Sequence, residues 1–143
     1  MGLSDGAYGQ RKVQLKMNQG KNPLTNRRRI ANIKGIVRHH QDTKEIPLGG
    51  GTERRILAYD DALMAVEVSF ETGSEGAPHS HPHTQMSYVL SGSFRYTVEK
   101  ESTVLNTGDS IVVPGGLVHG TVCLEKGVLL DVFTPKREDF LKA

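Results

Sequence analysis

The chain has no tryptophan, only four tyrosines and four phenylalanines, and a single cysteine among 143 residues. The scarcity of aromatics argues against a broad stacking surface for nucleic-acid bases. With Cys123 alone, no intramolecular disulfide can form, which suits a reducing compartment. No stretch approaches the ~18 consecutive apolar residues of a membrane span. The opening segment MGLSDGAYGQRKVQLKMNQG also lacks the apolar run of a secretory leader. These absences predict a soluble, cytoplasmic protein that binds neither membrane nor nucleic acid. A chain of this length makes one domain and buries a core without covalent staples.

Charge is present but unevenly placed. Residues 1–40 carry nine Lys/Arg and one acid, Asp5, a balance of +8, whereas residues 41–143 carry a balance of −6. A basic arm on an acidic body can contact nucleic acid or lie across an acidic partner subunit. The arm has only Tyr8 to stack on bases and shows no helix-turn-helix pattern, so a solvated or dimer-embracing segment is the reading we adopt. The run Arg27-Arg28-Arg29 is short, as solvated runs usually are.

Helix signals are almost missing. Residues 1–28 are polar with weak periodicity, and residues 29–40 predict an edge strand. The segment Ile46 to Arg55, with three consecutive glycines, reads as a loop. From Ile56 onward, apolar runs of four to eight residues alternate with Gly, Pro, Asn and Asp. They predict two strands around Asp60-Asp61, a Gly-rich turn over 72–78, and a strand at Thr84–Leu90. After a tight turn at Ser91-Gly92 comes an alternating strand, SFRYTVEK. Turns follow at Asn106–Asp109 and Pro114-Gly115-Gly116, and GTVCLEKGVLLDVFTP supplies two more strands. KREDFLKA predicts a helix of one or two turns. Such spacing defines an all-β sandwich or barrel. The predicted division is an arm with an edge strand over 1–45 and a barrel over 46–143.

Four of the six histidines fall in two places, His79, His81 and His83 in APHSHPHTQ and His119 in PGGLVHG. Residues two apart on a strand share a face, so His79 and His81 project together and Gln85 keeps their parity. Imidazole is a common ligand of divalent first-row metals, and an amide oxygen fills a further position. His79, His81, Gln85 and His119 are therefore the predicted metal ligands, leaving coordination positions open for substrate. His83 has the same parity, and strand geometry alone leaves it open; Pro82 breaks the register there, and we place His83 outside the ligand set. One buried histidine is usually a hydrogen-bonded core residue, but three within five residues and a fourth after a Pro-Gly turn are hard to reach by chance. His39 and His40 read as surface residues of the arm.

Two segments resemble the paired motifs of the cupins. The first comprises Gly73 or Gly76, His79-Ser80-His81, Gln85 and Gly92; the second comprises Gly108, Pro114-Gly115-Gly116 and His119. The resemblance implies a jelly-roll-like β-barrel, often dimeric, so a homodimer is expected. Gln85 stands where the family usually has Glu, and Cys123 where it has Asn. A neutral ligand set leaves the ion's charge uncompensated, which favours an anionic substrate oxygen and gives little support to a ferric state. The metal is one of Ni, Mn, Fe, Co or Zn.

HSHPHTQMSYVLSG, the Gly108-to-Pro114 turn and LLDVFTPKREDF are more narrowly similar to the small cupins called pectin degradation proteins. That resemblance implies metal-dependent ketonisation of 4,5-unsaturated monouronates, with Asp131, Phe133 and Arg137 in the site. Asp131 is the general acid/base it implies, Phe133 a wall for the sugar, and Arg137 a grip for the carboxylate. Without it, Asp131 could cap a turn, Phe133 could be core, and Arg137 could pair with Glu138 or Asp139. Arg54 and Arg55 precede a strand nearing the barrel mouth, where one could meet an anionic sugar. The alternatives are another metal cupin enzyme, such as a dioxygenase or sugar isomerase, or a non-enzymatic sugar-binding module.

Overall fold

A computed structural model describes residues 33–142. Residues Ile36–Ala143 form one compact unit. It begins with a 3₁₀ turn at His40–Asp42 and contains eight strands: β1 (Ile46–Gly49), β2 (Thr52–Tyr59), β3 (Met64–Phe70), β4 (Glu75–His79), β5 (Thr84–Val98), β6 (Glu101–Asn106), β7 (Ser110–Val113) and β8 (His119–Thr134). A single helical turn, α1 (Glu138–Leu141), follows. All pairings are antiparallel, in the order β1-β2-β3-β8-β5-β6, with β4 on β8 and β7 on β5. Among the described residues no helix is long and apolar enough to cross a membrane.

Two long strands organise the molecule. β5 and β8 pair along their lengths, with register shifts around Ser91 and Ser93. Their outer halves carry different neighbours. The C-terminal half of β8 pairs with β3, and the N-terminal half of β5 with β7. The opposite halves pair with β4 and β6. The main core draws Phe70 from β3, Val89, Phe94 and Tyr96 from β5, Leu105 from β6, Val113 from β7, and Cys123 and Leu129 from β8. Side chains from both halves meet there, so the sheet is folded over on itself as a barrel. A second cluster of Met64, Val66 and Phe133 closes one end, with Ile56, Tyr59 and Phe140 packed against it.

The all-β class predicted from spacing is what the chain adopts, but several elements differ from their predicted form. Ile46 to Arg55 is not a loop: Gly49 pairs with Thr52 across a two-residue Gly50-Gly51 turn at φ of +62° and +87°. Both positive φ values suit glycine and match the twist of a tight hairpin. The predicted break at Ser91-Gly92 is a bulge inside one fifteen-residue strand. Gly92, at φ +81°, lets that bulge form, and a Cβ there would lie 2.5 Å from the Glu125 carbonyl oxygen. GTVCLEKGVLLDVFTP is likewise one strand rather than two. The Gly-rich segment 72–78 already enters β4 at Glu75. The edge strand predicted over 29–40 is absent from its described part, 33–40, which has bends and the start of the 3₁₀ turn. The rest of that segment and the polar arm 1–28 lie outside the described residues. His39 and His40 are exposed.

Candidate metal and substrate site

The two histidine segments meet because β4 pairs with β8 and, past a register shift after Gly76, sets His79 opposite His119. One ring nitrogen from each of His79, His81 and His119 lies within 4.8 Å of the others. The His81 loop is held from the second motif: Gly116 N–H donates to the His81 carbonyl at 2.8 Å. At Gly115 the backbones approach so closely that a Cβ would stand 2.1 Å from the Pro82 oxygen.

Protonation in the cluster follows from its hydrogen bonds. Nδ1 of His79, His81 and His119 faces the carbonyls of Ala77 (2.7 Å), His83 (3.1 Å) and Leu117 (3.0 Å). A carbonyl only accepts, so each Nδ1 carries a proton, and a ring in its neutral form presents the Nε2 lone pair. Burial pulls the His81 and His119 pKa values below the ordinary range, keeping the rings neutral. The Gln85 amide is oriented as well: its Nε2 donates to Ser87 Oγ at 3.1 Å and Tyr96 Oη at 3.3 Å. Its Oε1 therefore faces Nε2 of His81 at 3.0 Å and of His119 at 3.1 Å. Two nitrogen lone pairs converge on an oxygen lone pair with no proton between them. A cation resolves that repulsion, and a neutral N,N,N,O donor set fits a divalent first-row ion. His83 lies outside the cluster: Nε2 meets the Lys136 carbonyl at 3.2 Å, and Nδ1 is buried without a partner.

Behind Gln85 the polar network continues. Ser87, fully buried, donates to Asp131 Oδ1 at 2.6 Å, and its Oγ lies 3.1 Å from Tyr96 Oη. Ser87 and Asp131 are cross-strand partners on β5 and β8, as are Gln85 and Phe133. Burial pushes the Asp131 pKa up to about 6, against the opposing pull of its Ser87 and Gln85 hydrogen bonds. Burial also raises that of Tyr96 beyond its usual range, so the phenol stays neutral.

The cluster opens on a cavity of about 430 Å³, whose walls include Arg54, Gln85, Asp131, Phe133, Arg137 and Phe140. That volume lies in the range of small-molecule sites. Phe133 packs edge-on against His81 at 5.7 Å between centroids. Arg137 is buried at 8% exposure; its Nε and Nη2 donate to Asp139 Oδ1 and Oδ2 at 3.0 and 2.7 Å. Its guanidinium also stands 5.1 Å from the Phe133 ring centre and 4.1 Å from that of Phe140. Of the arginine pair, Arg54 faces the cavity, while Arg55 pairs with Glu45 at 2.9 Å. Sequence reasoning missed Ser87, Tyr96 and Phe140. Ser87 was within reach, since it shares the parity of Gln85; Tyr96 was hidden by the bulge, which switches the inward face of β5 from odd to even residues.

A histidine cluster set where the two long strands of a folded-over β-barrel converge is the arrangement of a cupin, and the family profile described as a cupin domain matches residues 66–133. An RmlC-like cupin from Shewanella frigidimarina NCIMB 400 superposes with a TM-score of 0.70 at 42% identity, over 73% of this chain and 94% of that one. The KdgF structure from Halomonas sp. superposes with a TM-score of 0.69 at 36% identity, over 73% and 98%. The pectin degradation protein KdgF of Dickeya dadantii (strain 3937) is 47% identical over 96 residues, 66% of this chain and 87% of the relative. The chain belongs to the KdgF family of pectin degradation cupins.

Proposed function

We propose that this chain is an enzyme that converts 4,5-unsaturated monouronates, released from pectin or alginate, into their linear keto forms. The observation that carries the reading is the meeting in one cavity of a lone-pair donor cluster, a buried carboxylic acid and guanidinium groups, in a member of this family. His79, His81, Gln85 and His119 would hold a divalent ion, one of Ni, Mn, Fe, Co or Zn. When bound, such an ion supplies Lewis-acid stabilisation of negative charge on substrate oxygen.

The reaction is an isomerisation in which every atom is kept. The proton leaves the anomeric hydroxyl, and the carbonyl forms at carbon one as its bond to the ring oxygen breaks. The electron pair passes to the ring oxygen as an enolate. A proton then adds at carbon four, leaving a ketone at carbon five. Asp131 is the acid/base: a pKa near 6 lets it accept the hydroxyl proton and deliver it to carbon four near neutral pH. Ser87 fixes its orientation. Phe133 walls the sugar face, and Arg137, held by Asp139, lends positive charge to the same wall.

In this reading the barrel, 46–143, carries the site, and residues 1–45 form an arm that precedes it. The enzyme works as a homodimer in the cytoplasm. Exposed Tyr88, Leu90, Val104 and Val112 on β5–β7 support a second copy as the partner. The buried free thiol of Cys123 suits a reducing compartment.

The test is loss of the ultraviolet absorbance of a lyase-generated unsaturated monouronate mixed with metal-loaded protein. Loss faster than in buffer, abolished by His119→Ala and by Asp131→Ala, is the expected result. No acceleration by fully loaded protein refutes the reading.

A further inference from the structure

The cavity wall holds two guanidinium groups, and only one is directly ion-paired. Arg137 has its Nε–Nη2 edge closed by Asp139 at 3.0 and 2.7 Å. Arg54 lies on the same aromatic support, its guanidinium carbon 3.8 Å from the Phe140 ring centre, against 4.1 Å for Arg137. Among the described residues no carboxylate stands within ion-pair distance of Arg54, and its Nε is buried without a hydrogen-bond acceptor. The guanidinium as a whole is half-buried, and its buried Nε–H forfeits hydration with nothing in return. The stacking on Phe140 holds the plane of the group but satisfies none of its N–H donors. Strand alternation explains the placement: Arg55 turns outward to Glu45 and Thr43, and Arg54, one residue earlier, turns in.

The missing partner is an anion, and its place is the cavity that Arg54 lines with Asp131 and His79. A planar fork with a free edge matches a carboxylate. We propose that Arg54 is the specificity-determining residue of the site: it takes the carboxylate of a monosaccharide uronate, whereas Arg137, already committed to Asp139, positions Phe133 and Phe140. The inference rests on the uronate reading above. It predicts that Arg54 discriminates an acidic sugar from its neutral counterpart and leaves the chemical step to other residues.

The experiment uses full-length, metal-loaded protein as wild type, Arg54→Met, Arg54→Gln and Arg54→Lys. Methionine keeps an apolar stem against Phe140 and removes the charge; glutamine keeps polar reach. Steady-state kinetics on unsaturated monouronate are paired with ligand-observed NMR of galacturonate and galactose, neither of which reacts. Expected are a KM raised roughly 10- to 100-fold in Arg54→Met and Arg54→Gln, kcat held within about threefold, and partial recovery in Arg54→Lys. The wild-type preference for galacturonate over galactose should vanish in the two uncharged variants. An unchanged KM, or a fall in kcat alone, overturns the assignment. Should wild type leave the unsaturated sugar unconverted, the ketonising reading fails by itself, and the two NMR probes still decide on Arg54. A galacturonate preference that survives in both uncharged variants, or is absent from wild type, refutes the anchor. Thermal melting identifies a variant that does not fold, and the other uncharged variant then supplies the comparison.

Discussion

In the proposed reaction, Asp131 is the side chain that carries the proton. It is 8% exposed, accepts a hydrogen bond from Ser87 and has its pKa pushed up to about 6 by burial. Asparagine in its place keeps the shape and loses the proton carrier, so Asp131→Asn should lower kcat by roughly 10²- to 10⁴-fold, read as the rate of absorbance loss. The same shift bears on stability. The unfolded carboxyl titrates at its ordinary value of 3.8 and the folded one at about 6. Between those values the folded state holds more protons, so this group's contribution falls as pH rises and becomes constant above about pH 7. In chelated protein, urea unfolding should show Asp131→Asn gaining on wild type by about 2 kcal/mol between pH 4 and pH 6, and levelling off by about pH 7. A difference independent of pH would refute the raised pKa. Gln85 is the neighbouring lever. Gln85→Glu adds a negative charge beside the three imidazoles, so metal should bind tenfold or more tightly and the KM for an anionic sugar should rise. Calorimetric metal titration and steady-state kinetics read the two effects separately.

At the scale of elements, the turn of the second motif serves as a clamp for the first. Gly115 lies against Pro82, and Gly116 bonds the His81 carbonyl. Gly115→Ala places a methyl against backbone that cannot yield, and the His81 loop must move. Metal affinity should fall roughly 10- to 100-fold, the range for groups that hold a ligand in place. An unchanged affinity with a folded barrel would contradict the clamp. The same elements show what the sequence could tell. His79, His81, Gln85 and His119 were legible because alternation fixes a face within a strand and the Pro-Gly turn marks the return. Tyr96 was not, because the bulge at Gly92 reverses parity and nothing local announces the reversal. Three successive glycines, Gly49-Gly50-Gly51, look like a loop in sequence, and a loop there puts Arg54 before the strand rather than in it. Two successive glycines between runs able to pair are also the signature of a tight hairpin, and that reading turns Arg54 inward. The two longest strands look like fragments in sequence, since glycine that permits a bulge and glycine that ends a strand look alike there.

For the whole molecule, the division of labour between core and site decides what metal removal does. The main core, from Phe70 to Leu129, and the smaller Met64–Val66–Phe133 cluster are built without the four donors. The barrel therefore stands without an ion, unlike a small domain folded by its metal. The proposed donors come from β4, the loop after it, β5 and β8, so an ion bound there would tie both ends of the histidine loop to the two long strands. Chelation should abolish ketonisation while leaving the far-ultraviolet circular dichroism of the β-sheet in place. Restoring metal at a hundredfold excess over its Kd should add about 2.7 kcal/mol and raise Tm on the order of 10 °C. His119→Ala should lose most of that rise, because it removes one of three imidazoles, whereas Arg54→Met should keep it, because Arg54 is not among the donors. Refilling separate samples with Ni, Mn, Fe, Co and Zn then ranks the metals by restored activity rather than by affinity. Binding alone follows the general order of divalent ions, whereas catalysis depends on how each ion leaves room for the sugar. A sheet spectrum that collapses on chelation would show that the ion holds the fold, and the separation of core from site would be wrong.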